Sequence, residues 1–257
     1  MLEEIKKRRL TLGELFGLSG RAFARNLLFT AIVVFCVGLP INIVSQNMAG
    51  YLKNFDWLSF AGAGYSIQDM MPRFRSLFIV SGVTALMSVV FEPLSLAAVT
   101  HIADETVRDK KALFSGILDA SLMKWAKLIV TYALYALLMY IGFLLLFIPG
   151  IFFAVSMYFC SSAAALTDKW GPSALAESRR LVRGNWWRTF GLILLIGIME
   201  LVAAGVLELP EGAMQNAPLL AAVYQSVIQI PLAFFSFIPV FYFLNLKYMK
   251  DEAERHD

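Results

Sequence analysis

Two glutamates, Glu92 and Glu200, lie within long apolar stretches of the chain. Helical rise places them roughly 14 and 18 Å from the ends that we expect to face the cytoplasm. An ionised carboxylate is costly at that depth in a bilayer, so each should be protonated, paired or exposed to a wet cavity. If their helices adjoin, the two side chains can share a proton or hold a cation. This chemistry would suit a transporter.

Each glutamate also has an interpretation that needs no ligand. Glu92 precedes Pro93, which frees a backbone carbonyl one turn back that a protonated carboxyl can satisfy. Glu200 can hydrogen-bond to another helix, where Gln225 and Gln229 are candidate partners. The apolar stretches hold no cationic residue to complete a proton relay. A purely structural role for the two glutamates therefore stays open.

A second candidate site lies in the segment 168–189, where Pro172 and Gly184 suit the start and end of a short interfacial helix. Three arginines can share a flank that faces anionic lipid, while apolar residues dip toward acyl chains and two tryptophans lie at headgroup depth. These residues are Arg179, Arg180 and Arg183, then Leu175, Leu181 and Val182, then Trp186 and Trp187. The pattern predicts either a site for a phospholipid headgroup or phosphate ligand, or ordinary anchoring and topology control.

Common catalytic and metal-binding patterns are missing from the sequence. The two histidines, His101 and His256, share no metal-ligand spacing, and Cys36 and Cys160 lie in apolar runs as packing residues. There is no phosphate-binding glycine loop, nucleophile elbow or zinc helix motif. We therefore predict no catalytic residue, no metal, no cofactor and no nucleic-acid partner.

Six apolar segments must position these residues. The chain is 59% hydrophobic and 16% charged, which is more apolar than a water-soluble domain of 257 residues can bury. Each segment is near or above the ~17 to 25 residues that a membrane-crossing helix needs. The segments are 27–44, 77–100, 128–148, 151–167, 190–207 and 217–246. They predict one all-α domain over residues 1–257, a polytopic integral membrane bundle of six transmembrane helices with interfacial amphipathic helices.

The third and fourth segments form an uncharged run, 128–167, that is interrupted by Pro149-Gly150. A single helix of this length would be about 60 Å long, twice a bilayer core, so we expect the chain to turn back at Pro-Gly. A shallow re-entrant hairpin would give four spans with the same sidedness. We prefer six because both arms are long enough to cross.

The positively charged residues predict the orientation. Of 22 Lys and Arg residues, only Lys53, Arg73 and Arg75 lie on one side of the predicted bundle. The other nineteen lie in the amino-terminal lead, the connections 101–127 and 168–189, and the tail. Such an asymmetry marks the cytoplasmic side. Both termini are therefore placed in the cytoplasm, and the protein in a bacterial cytoplasmic (inner) membrane.

A weak internal repeat links each cytoplasmic segment to the apolar segment after it. Residues 21–30 match residues 180–189 at Arg, Asn and Thr, and Leu113–Lys127 is a middle copy. The repeat predicts three units, each an interfacial helix followed by a helical hairpin. Chance similarity between amphipathic segments is the alternative.

Three motifs carry a resemblance to known proteins. They are Arg25-Asn26 followed by Leu39-Pro40, the Pro149-Gly150 pair, and Ala-Leu-x-x-Ser-x-x-Leu-x-x-Gly-Asn-Trp-Trp over Ala174 to Trp187. The chain resembles bacterial six-span proteins of the UPF0259 (YciC-like) group and the membrane domain attached to some glycerophosphodiester phosphodiesterases. In those phosphodiesterases a separate barrel domain carries the chemistry. The resemblance therefore implies a membrane module and not a hydrolase.

The sequence favours a non-enzymatic membrane module that interacts with lipids or binds a partner. Membrane lipid, above all anionic phospholipid, is the predicted partner, together with a protein or a second copy of the chain. A small transporter or permease subunit that uses Glu92 and Glu200 is the alternative. An intramembrane enzyme comes third.

Overall fold

The computed structural model describes residues 8–52, 67–108, 114–145, 147–214 and 216–256, and these contain helices and no β-strand. The predicted all-α class is confirmed for these ranges. The helices are α1 (Leu12–Arg25), α2 (Leu27–Leu52), α3 (Ile67–Val107), α4 (Phe114–Met123), α5 (Trp125–Leu145), α6 (Phe147–Met157), α7 (Cys160–Leu166), α8 (Pro172–Val182), α9 (Trp186–Leu207), a 3₁₀ helix (Leu209–Met214) and α10 (Pro218–His256). Lys53 in the charge pattern, Leu113 in the repeat and Leu146 in the third predicted span lie outside the described residues.

Six stretches of helix are long and apolar enough to cross a membrane. They are Leu27–Asn47, Phe74–Val107, Trp125–Leu144, Ile148–Leu166, Trp186–Leu207 and Pro218–Glu254, and each overlaps one predicted span. Only 11% of the apolar window in Trp186–Leu207 is buried against the rest of the protein. The outer surface of this helix is therefore largely apolar and suits apolar surroundings.

The chain reverses direction just before Pro149 and not at the Pro-Gly pair. Helix α5 ends at Leu145 and α6 begins at Phe147, so Pro149 and Gly150 lie in the first turn of α6. Proline is tolerated there because the first N–H groups of a helix have no intrahelical acceptor. The predicted hairpin is present, but the predicted position of its turn is wrong.

Two glycines allow the arms of this hairpin to touch. A Cβ on Gly142 would lie 2.9 Å from the Cα of Gly150, and a Cβ on Gly150 would lie 2.9 Å from the backbone nitrogen of Phe143. Backbone atoms in a packed interface cannot move aside as the tip of a flexible side chain can. The close approach of α5 and α6 therefore depends on glycine at both positions.

Three short helices lead into three long ones, in the order that the internal repeat predicts. Helix α1 runs into α2 through Asn26, α4 runs into α5 through Lys124, and α8 joins α9 through a short connection. The same first hydrogen bond forms at all three junctions, at 2.9 Å: Thr30 N–H donates to the Asn26 carbonyl, Leu128 N–H to the Lys124 carbonyl, and Thr189 N–H to the Asn185 carbonyl. Each long helix thus starts directly after a short helix, and α1 and α8 are the clearly amphipathic ones.

Helix α10 is the central element of the bundle and packs against α1, α2, α3, α8 and α9. Its residues 237–246 are all buried. Apart from Asn245 this run is apolar on every side, as expected for a helix surrounded by others. The helices that line the cavities described below are held in place around this core.

The lead, the end of α3, the 168–189 segment and the tail meet at one end of the bundle. Leu10 N–H donates to Asn245 Oδ1 at 3.1 Å, and Arg188 donates to the Leu10 carbonyl. Tyr248 OH donates to Asp104 Oδ1 at 2.7 Å. These contacts are consistent with a common side for the four positively charged segments.

Candidate functional site

A cavity of about 440 Å³ lies between α2, α3, α5, α9 and α10. Glu92 of α3 and Glu200 of α9 both line it, together with Gln229 of α10. Most of the remaining wall is apolar, formed by Val34, Val37, Ile41, Leu96, Val99, Leu232 and Ala233. Two glutamates from helices far apart in the chain therefore share one cavity.

The Glu92 carboxylate accepts a hydrogen bond from Tyr132 OH, with Oε2 at 2.6 Å from the donor. The carbonyl that Pro93 leaves without its helical donor is that of Val89, and no described hydrogen bond joins Glu92 to it. The neighbouring carbonyl, that of Val90, accepts from the indole Nε1 of Trp125 at 2.7 Å. The carboxylate is thus directed across the cavity toward α5.

The prediction that Gln225 is a partner for Glu200 is wrong. Gln225 Nε2 donates to Glu211 Oε2 at 2.7 Å, and the other oxygen of Glu211 accepts from Gln46. These contacts tie α2, the 3₁₀ helix and α10 together at the end of the bundle away from the arginines. Gln225 therefore has a structural position outside the cavity.

Gln229 lines the cavity but does not hydrogen-bond to Glu200 in the described contacts. Its amide nitrogen donates to Asn42 Oδ1 at 3.4 Å, and Asn42 in turn donates to Ser226 Oγ at 3.0 Å. Gly38 makes room for this arrangement, because a Cβ there would overlap Gln229 Oε1. The carboxylate of Glu200 is left exposed at the cavity.

A second cavity, of about 350 Å³, adjoins the first. The two share Leu96, Tyr132 and Ser236 as walls. The second cavity is more aromatic, and its other residues are Tyr135, Met139, Tyr158, Phe159, Ser161, Ser162, Pro239 and Val240. Between them, the two cavities are lined by residues of all six apolar stretches.

The fourth apolar stretch is a broken helix, and Ser178 of α8 fills the break. Helix α6 ends at Met157 and α7 begins at Cys160. Ser178 Oγ accepts from the Phe159 N–H and donates to the Ser156 carbonyl, both at 3.1 Å. Broken helices at membrane depth occur where protein satisfies the freed backbone groups or where they line a cavity. Both conditions hold here, because Phe159 also lines the second cavity.

This contact accounts for the serine of the Ala174 to Trp187 motif, and burial and backbone conformation account for other positions of it. The small or apolar residues Ala174, Ser178 and Leu181 are fully buried, and Gly184 has a φ of 86°, which favours glycine. The prediction that the apolar flank dips toward acyl chains is wrong. Its residues, Leu175, Leu181 and Val182, are at most 5% exposed inside the protein.

The three arginines do not form one site. Arg180 pairs with Glu177 on its own helix at 2.6 Å, with Asp251 at 3.4 Å and with Glu254, which fixes α8 to the tail of α10. Lys169 also contacts Glu177, at 2.6 Å, and the Glu177 side chain is only 6% exposed. Burial favours the neutral acid, but the hydrogen bonds from Arg180 and Lys169 outweigh it and lower the pKa of Glu177.

The remaining members of the arginine and tryptophan group divide between surface and core. Arg179 and Arg183 are exposed, and Trp187 is 78% exposed. Trp186 instead stacks on Phe190 with centroids 5.5 Å apart and on Phe152 at 6.1 Å. Of the two tryptophans predicted to lie at headgroup depth, Trp187 is therefore the exposed one. Arg179 and Arg183 are the exposed arginines of this group.

The chemistry of the cavities is anionic and aromatic. None of the described residues that line them carries a positive charge. Across the described ranges, no group of three or more His, Cys, Asp or Glu residues is placed to hold a metal ion. The arrangement can hold a cation, or protons, between two carboxylates in apolar surroundings.

Comparison with known proteins gives one family. No curated protein and no solved structure matches the chain. Residues 111–246, more than half of the 257, match a family described as "Domain of unknown function (DUF7847)". The match includes Tyr132, the Ala174 to Trp187 motif and Glu200, whereas Glu92 precedes it. The resemblance to the UPF0259 group stays a prediction. The chain belongs to the family described as a domain of unknown function, DUF7847.

Proposed function

We propose that this protein is a multi-pass membrane protein that binds a small cationic solute between its helices and moves it as a small transporter or permease subunit. The observation that carries the proposal is the placement of Glu92 and Glu200 on the wall of one cavity. No chemistry of its own is required of the protein. We prefer this function to the lipid-interacting module because Arg180, one of the three arginines of the predicted lipid site, is paired within the protein.

The electrostatics of the cavity favour a cation. An ionised carboxylate inside a membrane is expensive unless it is paired, and none of the described residues that line the cavity is basic. A bound cation would pair with Glu92 and Glu200 and offset this cost.

The proposed setting is the cytoplasmic membrane with both termini in the cytoplasm. The six apolar stretches and the exposed apolar surface of α9 support it. The positively charged connections also meet the tail at one end of the bundle, as a cytoplasmic face requires.

The test is binding of monovalent cations to the purified protein in detergent micelles. A panel of sodium, methylammonium and 2-phenylethylammonium ions would be measured by equilibrium dialysis at neutral pH. We expect at least one organic cation to bind to the wild type. Glu92→Gln and Glu200→Gln should each weaken that binding at least tenfold, because each removes one charge from the cavity.

The matched control is Glu208→Gln. Glu208 caps the end of α9, two helical turns beyond Glu200, and is exposed outside the cavity. The Glu208→Gln protein should bind the cations as the wild type does. If the Glu92→Gln/Glu200→Gln protein binds every member of the panel as well as the wild type does, the proposed function is wrong.

A narrower lipid-binding function is the second candidate. Arg179, Arg183 and Trp187 are exposed at the end of the bundle that holds the basic segments. Two arginines at a membrane surface attract anionic lipid at about 1 kcal/mol each. We expect mass spectrometry of the protein released from mild detergent to show retained anionic phospholipid, reduced in an Arg179→Glu/Arg183→Glu protein. Equal retention would count against this site, and the same spectra would reveal a protein partner or a second copy of the chain.

A further inference from the structure

The second cavity presents several aromatic rings to one space. Tyr132 and Tyr135 have ring centroids 6.2 Å apart, and Tyr158 and Phe159 meet edge to face at 5.3 Å. Tyr135 OH donates to the Ala154 carbonyl at 3.3 Å, so its hydroxyl is used within the protein. The rings and the Met139 side chain are therefore among the surfaces that this cavity offers to a ligand, beside three serines and smaller apolar residues.

Tyr132 connects this aromatic space to the glutamates. Its ring lines both cavities, and its hydroxyl donates to Glu92. Leu96 and Ser236 also belong to both walls, so these three side chains lie between the two cavities. A molecule with its positive charge beside Glu92 would pass them to place its apolar body in the second cavity.

We propose that the second cavity selects the solute by receiving the apolar or aromatic body of an organic cation whose charge lies between Glu92 and Glu200. This inference rests on the proposed function and names its substrate class. A cavity of about 350 Å³ is within the size range of sites for drug-like molecules. Aromatic faces also attract organic cations directly. An inorganic ion would bind to the carboxylates but would not contact the aromatic side chains of the second cavity.

The experiment compares an aromatic cation whose charge and ring are separated by two carbons, 2-phenylethylammonium, with a small cation, methylammonium. Tyr135 and Met139 line the second cavity only, so they can be changed without touching the glutamates. Tyr135→Leu removes an aromatic face, whereas Tyr135→Phe keeps the ring and is the matched control. Met139→Trp fills the space by an independent route.

We expect Tyr135→Leu and Met139→Trp to weaken 2-phenylethylammonium binding at least tenfold and to leave methylammonium binding within twofold. Tyr135→Phe should bind both ions as the wild type does. Unchanged 2-phenylethylammonium binding in Tyr135→Leu and Met139→Trp would overturn the inference, and so would an equal loss of both ions. The proposed function would still stand in either case if the glutamate variants lose binding. If they do not, function and inference fall together.

Discussion

Replacement of Ser178 by leucine should lower the free energy of unfolding by about 3 kcal/mol or more. The serine is fully buried and satisfies the N–H of Phe159 and the carbonyl of Ser156 where the fourth stretch is broken. Leaving a buried backbone group unsatisfied costs about 1 to 3 kcal/mol. Forcing a larger side chain into a packed site costs roughly another 1 to 3 kcal/mol.

Thermal unfolding in detergent, followed by tryptophan fluorescence, would measure this effect. Ala176→Leu is the matched control, because Ala176 lies on the exposed face of the same helix. It should change stability by less than about 0.5 kcal/mol. Ser178→Ala should fall between the two, since it removes the hydrogen bonds without adding volume. Equal midpoints for Ser178→Leu and Ala176→Leu would show that the contact across the break is unimportant.

Arg180→Leu should destabilise the protein by about 2 kcal/mol, between the values for an exposed and a buried ion pair, because Arg180 is partly exposed and Glu177 is buried. Its loss leaves Glu177 with Lys169 as the remaining cationic partner in the described contacts. It also removes the ion pairs that Asp251 and Glu254, in the tail of α10, make with the guanidinium. Arg179→Leu is the matched control, because Arg179 is the exposed neighbour.

A companion experiment uses pH. The pKa of Glu177 is below its ordinary value of 4.5 in the folded protein. Its contribution to stability is therefore complete above pH 4.5 and is lost as the pH falls through the lower folded pKa. Wild-type stability minus that of Glu177→Gln should shrink over this acidic window. A difference that is constant with pH would contradict the assigned ion pair, as would a normal Arg180→Leu midpoint.

The sequence is sufficient to predict the six apolar stretches, because each is a long uncharged run whose composition is distinctive. It places the hairpin turn at Pro149-Gly150 incorrectly, since the same residues also suit the first turn of a helix. The sequence does not predict the interruption of the helix in the fourth apolar stretch. Tyr158 and Phe159 carry no helix-breaking signal, and the partner that fills the gap, Ser178, belongs to another helix.

The candidate site was only half predictable. Glu92 and Glu200 stand out as charges in apolar runs, but their common cavity follows from helix packing, which periodicity does not encode. Gln225 and Gln229 are one turn apart and equally plausible by spacing, yet only Gln229 reaches the cavity. The aromatic wall had a signal that sequence reasoning passed over, Tyr132 and Tyr135 at a helical spacing of three residues.

The arginine group was misread because a partner was overlooked. Glu177 lies three residues before Arg180, the spacing of an ion pair along a helix. Periodicity also distinguishes an apolar flank from a polar one without telling whether protein or lipid covers it. For α8 the covering surface is protein, including the broken helix itself.

The break filled by Ser178 also bears on how the protein is made. Of the six apolar stretches, Ile148–Leu166 has the lowest mean hydropathy, 1.5, so it partitions least readily into lipid on its own. Its missing hydrogen-bond partner is encoded downstream and leaves the ribosome later. For a chain that enters the membrane as it is made, we expect the Phe159 N–H and the Ser156 carbonyl to lack this partner until α8 has been synthesised and has docked. Maturation of the fourth helix would then depend on translation of the segment that follows it.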